Sequence, residues 1–315
     1  MWRRIILLLA ISGAYGLNGQ CRVLAVAGGT ERGAYEAGAI SALLTNLPAG
    51  QAEYDVVTGV GIGAINAMIV ASYPQGQEAQ AAAKLQSFWN SFTTSTLYSD
   101  WIGGLVTGLL YESGLFDTSA MKKTIKSLAP STKFQRWLGV GCTDLLSGGY
   151  VFFNSTGVTL ANMLTGIYAS ASDPVIFPLV KYSSYQLVSG ATKFSIDILD
   201  AVNACFQLGY QENQIIIHSV LGAGRNLSTV DAMNYKTLQV TMRFFEIFAY
   251  DSFLRVLENA KHDFPQVNMQ YSIFPTHGLN HTLYPYDFTP AELAQEWQLG
   301  QADALRLIQT TLATE

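Results

Sequence analysis

Two glycine-rich turns carry the clearest chemical capacity in the chain. The first, Gly28-Gly29-Thr30-Glu31-Arg32-Gly33, follows a short apolar run and opens a segment whose apolar residues recur at helical spacing. Successive backbone N–H groups at such a helix start converge on one point and stabilise negative charge there. Thr30 keeps its N–H, but its branched Cβ restricts φ and crowds an approaching ligand. The second turn, Gly59-Val60-Gly61-Ile62-Gly63, repeats the strand–turn–helix setting. A glycine-rich turn alone also fits nucleotide binding, so the residues around the turns must decide between the two. His277 and His281, four apart, would make half a metal site on a helix, but Gly278 and the Asn280 triplet argue for a loop there.

The elements that must hold these turns can be read from periodicity. Residues 21–26 and 54–59 are strand-like, and each leads through its turn into a helical stretch, 33–47 and 62–74. Two such units predict a parallel sheet covered on both faces. Further on, Phe134–Cys142 and Tyr150–Asn154 read as a hairpin-like strand pair, Ser195–Leu208 as a helix, and Gln214–Leu221 as a central β-branched strand. An amphipathic stretch from Arg243 to Lys261 and a short strand from Gln270 to Phe274 follow, and then a helix with Thr289 as N-cap and Pro290 at its first position. The charge-free stretch Trp101–Tyr111 has two readings. It is a lipid-touching lid helix, or, the preferred one, a buried helix packed closely at Gly104 and Gly108.

These motifs resemble the signatures of patatin-like phospholipases. Gly28, Gly29, Arg32 and Gly33, followed by Tyr35 and Gly38, match the family's oxyanion turn, with Thr30 where a third glycine is expected. Gly59 and Gly63 match the outer glycines of its nucleophile elbow, Gly-x-Ser-x-Gly, and Gly61 occupies the serine's place. Tyr168–Leu179 resembles the Ala-Ser-x-Ser-x-Pro block, and Ser189-Gly190-Ala191 stands where Asp-Gly-Gly/Ala is expected, so Ser189 replaces the dyad aspartate. The resemblance spans roughly residues 22 to 310. It implies an α/β fold, a three-layer α/β/α domain around a mainly parallel sheet, with its cleft at the C-terminal ends of the strands. It also implies lipid acyl hydrolysis, which this chain should not perform. No acyl-enzyme forms without a hydroxyl, and a serine at position 189 is far too weak a base. An active hydrolase with a rearranged site would have to use Ser170, Ser172 or Ser189, with Asp173 as its carboxylate. An engineered inactivation is the other alternative; the unusual replacements, together with Thr30, favour natural loss.

The 315 residues, 49% hydrophobic and 13% charged, suit one large globular domain rather than a disordered chain. A net charge of −5 with scattered Lys and Arg excludes nucleic acid as a partner. No cofactor and no metal are expected; the expected partners are a lipid or fatty acyl ligand, a membrane surface, or the other components of a protein assembly. Arg3 and Arg4 precede an apolar run and then small residues, the layout of a signal peptide over residues 1–16, leaving a domain over 17–315. Sequons at Asn154, Asn226 and Asn280 agree with secretion or an endomembrane lumen. Three cysteines allow at most one internal disulfide, and Cys142, in an apolar strand-like stretch, suits a buried thiol.

Overall fold

The computed structural model describes residues 19–29, 32–227, 229–277, 279 and 289–313. The chain opens with β1 (Cys21–Val26), α1 (Gly33–Asn46), β2 (Val56–Gly59) and α2 (Gly63–Ala71). Four helices follow: α3 (Glu78–Asn90), α4 (Thr94–Leu97), α5 (Gly104–Leu110) and α6 (Ser119–Leu128). Then come β3 (Trp137–Asp144), β4 (Tyr150–Asn154), α7 (Leu160–Ser170), β5 (Val180–Tyr182), β6 (Tyr185–Ser189) and α8 (Leu199–Gln207). The chain continues through β7 (Ile215–Val220), α9 (Thr237–Asp263), β8 (Asn268–Ile273) and α10 (Pro290–Leu312).

The strands form one sheet in the order β5-β6-β3-β2-β1-β7-β8, with β4 also paired to β3. From β3 to β8 along this order every pairing is parallel, and β4, β5 and β6 add antiparallel ladders at one side. The inner strands β2, β3 and β7 are buried along their whole length, which is why they read as continuous apolar runs rather than as alternating ones. Leu24, Val26, Val57 and Val220 pack with α1, α2 and α10 on one face. Cys21, Val23, Ile215 and Ile217 pack with α8 and α9 on the other. Cys21 is disulfide-bonded to Cys205 of α8, and Cys142 is a buried free thiol.

Two expectations need correction. The helix expected from Ser195 begins only at Leu199, because Asp197 turns its Oδ1 to accept the Asp200 N–H at 3.1 Å and Ser195 gives its carbonyl to Gly28. The Trp101–Tyr111 stretch is not buried. Gly108 does pack against the Leu115 backbone, but Ile102 is 100% exposed, Leu109 71% and Tyr111 79%. Only one face of α5 is covered, so its remaining apolar side chains stand in solvent. No helix among the described residues is long and apolar enough to cross a membrane.

Candidate functional site

Because β1 and β2 pair in parallel with Val26 opposite Gly59, the turns that follow them lie side by side at the C-terminal ends of the strands. Gly61 has φ of +59°, a conformation that glycine adopts without the penalty a side chain incurs. A Cβ built there would stand 3.0 Å from Gly28 Cα, 3.7 Å from Ser189 Oγ and 3.8 Å from the Gly29 nitrogen. A side chain at position 61 would therefore point between the glycine turn and the end of β6. Gly59 and Gly63 let the turn fold tightly: a Cβ on Gly59 would be 2.7 Å from Ala64 Cα, and one on Gly63 would strike Val26 Cγ1 and the Ala27 carbonyl. Gly33 is pressed against Trp89 and Ile62 at the start of α1.

Hydrogen bonds knit this region together. The Gly61 N–H donates to Ser170 Oγ at 3.0 Å, and that hydroxyl donates to the Gly141 carbonyl at 2.7 Å. Ser172 Oγ donates to the Tyr168 carbonyl at 2.8 Å, while its own carbonyl accepts the Ser189 N–H at 2.8 Å. Ser189 Oγ accepts the Ala191 N–H at 3.3 Å. All three serines are fully buried. Within the glycine turn, the Gly28 N–H donates to the Ser195 carbonyl at 2.8 Å, and the Gly29 carbonyl accepts the Arg32 N–H at 2.9 Å. Thr30 lies outside the described residues, as does Asn280. Asn154 closes β4 with its Oδ1 accepting from Thr156 and Gly157, and Asn226 is exposed on the loop after β7.

Periodicity did not single out two buried carboxyl groups nearby. Glu36, on α1, is fully buried; its Oε2 accepts from Asn66 Nδ2 at 3.4 Å, and its Oε1 has no hydrogen-bond partner among the described residues. Burial pushes its pKa well above the usual carboxylate range, with the Asn66 bond and the Arg32 charge pulling the other way. The only sequence signal was an acid set among small apolar residues, Ala34-Tyr35-Glu36-Ala37-Gly38, which reads equally well as a first-turn charge facing water. Asp197, with Tyr150 Oη donating to its Oδ2 at 3.0 Å, is likewise raised, first by burial and then by the Asp200 charge. Thr58 Oγ1 donates to the Asp197 carbonyl at 2.8 Å, so the hydroxyl nearest the second turn in β2 is directed away from it. A cavity of about 600 Å³ opens beyond Arg32, lined by residues that include Arg225, Phe274 and Arg306; Gly61 and Ser189 do not line it.

The family model of patatin-like phospholipases matches residues 24–202 of this sequence. No curated protein matches it significantly. Among solved structures, VipD from Legionella pneumophila aligns at 10% identity and a TM-score of 0.44, covering 93% of this chain and 67% of that one. The type III effector protein ExoU aligns at 11% identity and a TM-score of 0.24, covering 76% of this chain and 53% of that one.

Proposed function

The chain belongs to the patatin-like phospholipase family, and from that premise we propose that it is an inactive acyl-hydrolase homologue, secreted or lumenal, that binds an acyl lipid or serves as a component of an assembly. One observation carries the reading. The point where a nucleophile would sit, 3.7 Å from Ser189 Oγ and 3.8 Å from the Gly29 nitrogen, belongs to a residue without a side chain. The neighbour at that distance is a hydroxyl with no useful basicity. Ser170 and Ser172 are no substitutes, since both are fully buried and their hydroxyls donate to backbone carbonyls. The Gly28 N–H is also committed to Ser195, leaving one fewer donor for an oxyanion.

The Cys21–Cys205 disulfide supports an oxidising compartment. The uncovered side of α5, with Trp101 before it and Tyr111 after it, supports contact with a lipid surface, because an uncharged apolar face flanked by aromatic residues suits the bilayer interface. The test is incubation of the purified chain with fluorescent phospholipids and short p-nitrophenyl esters, alongside a fluorophosphonate probe mapped by mass spectrometry. The expected result is no turnover and no labelled serine. Turnover that disappears when a labelled serine is replaced would return the chain to the enzymes.

A further inference from the structure

The sheet has a second functional position that the Gly61 turn does not use. Strands β1 and β7 are parallel neighbours, yet the helix that follows β1, α1, packs on one face of the sheet and the helix that follows β7, α9, packs on the other. Chains leaving adjacent strands in opposite directions open a crevice at the carboxyl ends of those strands, which is where open α/β sheets bind ligands. The cavity of about 600 Å³ lies at this place, bounded by Arg32 from the start of α1, the loop after β7, the end of β8, and the sides of α9 and α10. Its volume is in the range of small-molecule sites.

The walls have a definite chemistry. The loop after β7 runs Gly222-Ala223-Gly224-Arg225-Asn226, and among the described residues no acceptor meets the backbone N–H groups of Gly222, Ala223 or Gly224. The Arg225 guanidinium lies over the Phe274 ring, 4.8 Å from its centre, and Tyr250 Oη donates to the Arg225 carbonyl at 2.8 Å, which orders the loop. Arg32 also lines the wall, as does Arg306, whose guanidinium is ion-paired with Asp303. The carboxylates on the wall are already engaged. Asp303 accepts from Tyr35 Oη, from the Thr276 N–H and hydroxyl, and from Arg306. Glu246 accepts from Arg243. Phe274, beneath the Arg225 guanidinium, adds apolar surface to the wall, as do Leu279 and Leu307. Behind Gly222, Glu36 Oε1 lies 3.2 Å from the point a Gly222 Cβ would take, and burial pushes that carboxyl's pKa well above the usual carboxylate range.

We propose that this cavity is a binding site for an oxyanion, phosphate or carboxylate, borne on an apolar chain, and that it is separate from the Gly61–Ser189 position. Guanidinium groups and unpaired N–H groups recognise the head, and the aromatic and leucine wall covers the first carbons of the tail. The site does not depend on whether the Gly61 turn is catalytically dead, because binding and turnover are read in different assays.

Isothermal titration calorimetry of the full chain tests it with three probes: decyl phosphate below its micelle concentration, inorganic phosphate, and decanol. Two variants accompany the parent, Arg225→Gln and Thr310→Trp. The latter fills the cavity from an exposed position on α10 and should leave the fold intact, which thermal melting checks. Decyl phosphate should bind the parent, lose roughly tenfold or more in affinity with Arg225→Gln, the scale of one charge-assisted hydrogen bond, and fail to bind Thr310→Trp. Inorganic phosphate binding as tightly as decyl phosphate would keep the site and assign it to a free oxyanion. Decanol binding as well as decyl phosphate, both folded variants binding like the parent, or no probe binding at all would overturn the proposal.

Discussion

Installing a serine at position 61 and an aspartate at position 189 is the sharpest test of the proposed Gly61–Ser189 geometry. In the double substitution Gly61→Ser/Ser189→Asp, the serine Cβ would start 3.7 Å from the present Ser189 Oγ, so its hydroxyl and an aspartate at 189 come within one hydrogen bond of each other. The change costs stability. A side chain at φ of +59° carries strain on the order of 1–3 kcal/mol, and its Cβ must settle against Gly28 Cα at 3.0 Å. With an unfolding entropy near 2.1 cal/mol/K per residue, that strain lowers the melting temperature of a chain of this length by roughly 2–5 °C. An aspartate at the fully buried position 189 is desolvated, so its carboxylate forms only as the pH rises and reactivity should climb with pH. The double variant should be labelled by a fluorophosphonate at position 61 and should hydrolyse p-nitrophenyl esters about 10²–10⁴ times faster than Gly61→Ser alone, the range of a positioned general base. Labelling is followed by mass spectrometry and turnover by absorbance, after circular dichroism has shown a cooperative melt. A folded double variant that takes no label would refute the placement of position 61 between Gly29 and Ser189.

Replacing Cys21 and Cys205 by alanine should leave a folded chain, since the sheet is buried on both faces, but it opens a loop of 184 residues; chain entropy puts the loss near 5 kcal/mol, to be read by denaturant unfolding. Asp197→Asn should flatten the pH dependence of the melting temperature: burial raises the Asp197 pKa to about 8, so the native state holds a proton that the unfolded chain releases near pH 4. Stability from this group is therefore full below about pH 4 and is lost as the pH rises toward about 8, and a variant with an unchanged slope in that window would count against the assignment. Val106→Asp/Leu109→Asp, on the uncovered side of α5, should leave the melting temperature within about 1 °C while reducing co-sedimentation with phospholipid vesicles; equal sedimentation of parent and variant would remove α5 as the lipid-facing element.

Much of this architecture was legible because its signals are local. Strands β1, β2 and β7 are buried runs with few polar residues, and β1 and β2 each lead into a glycine-rich turn that the sequence shows directly. Thr289, Pro290 and Glu292 form a complete capping box, so the start of α10 could be placed to the residue. The failures share a cause, which is that burial is decided by distant segments. The Trp101–Tyr111 stretch has the composition of a core helix, and nothing in it says that Gly108 alone is buried, against the Leu115 backbone. Asp197 looked like an ordinary polar residue in a helix because its partner Tyr150 is on β4, 47 positions away. The oxyanion cavity draws on α1, β7, β8, α9 and α10, and no window of sequence contains it.

On the proposed reading, the Gly61 turn accounts for a domain without the dyad chemistry that keeps its fold. In an active elbow, the nucleophile's strained backbone is maintained for function at a cost to stability. Here glycine at φ of +59° removes most of that strain, while the Gly61 N–H, Ser170 Oγ and Gly141 carbonyl form a chain that fastens the turn to β3. At position 189 a buried carboxylate would need a charged or strongly donating partner, whereas the uncharged serine oxygen accepts the Ala191 N–H. The cavity between β1 and β7 is lined by neither Gly61 nor Ser189, so on the proposed reading the two sites are independent. Gly61→Ser/Ser189→Asp should therefore leave decyl phosphate affinity within about twofold of the parent, because neither replaced residue lines that cavity.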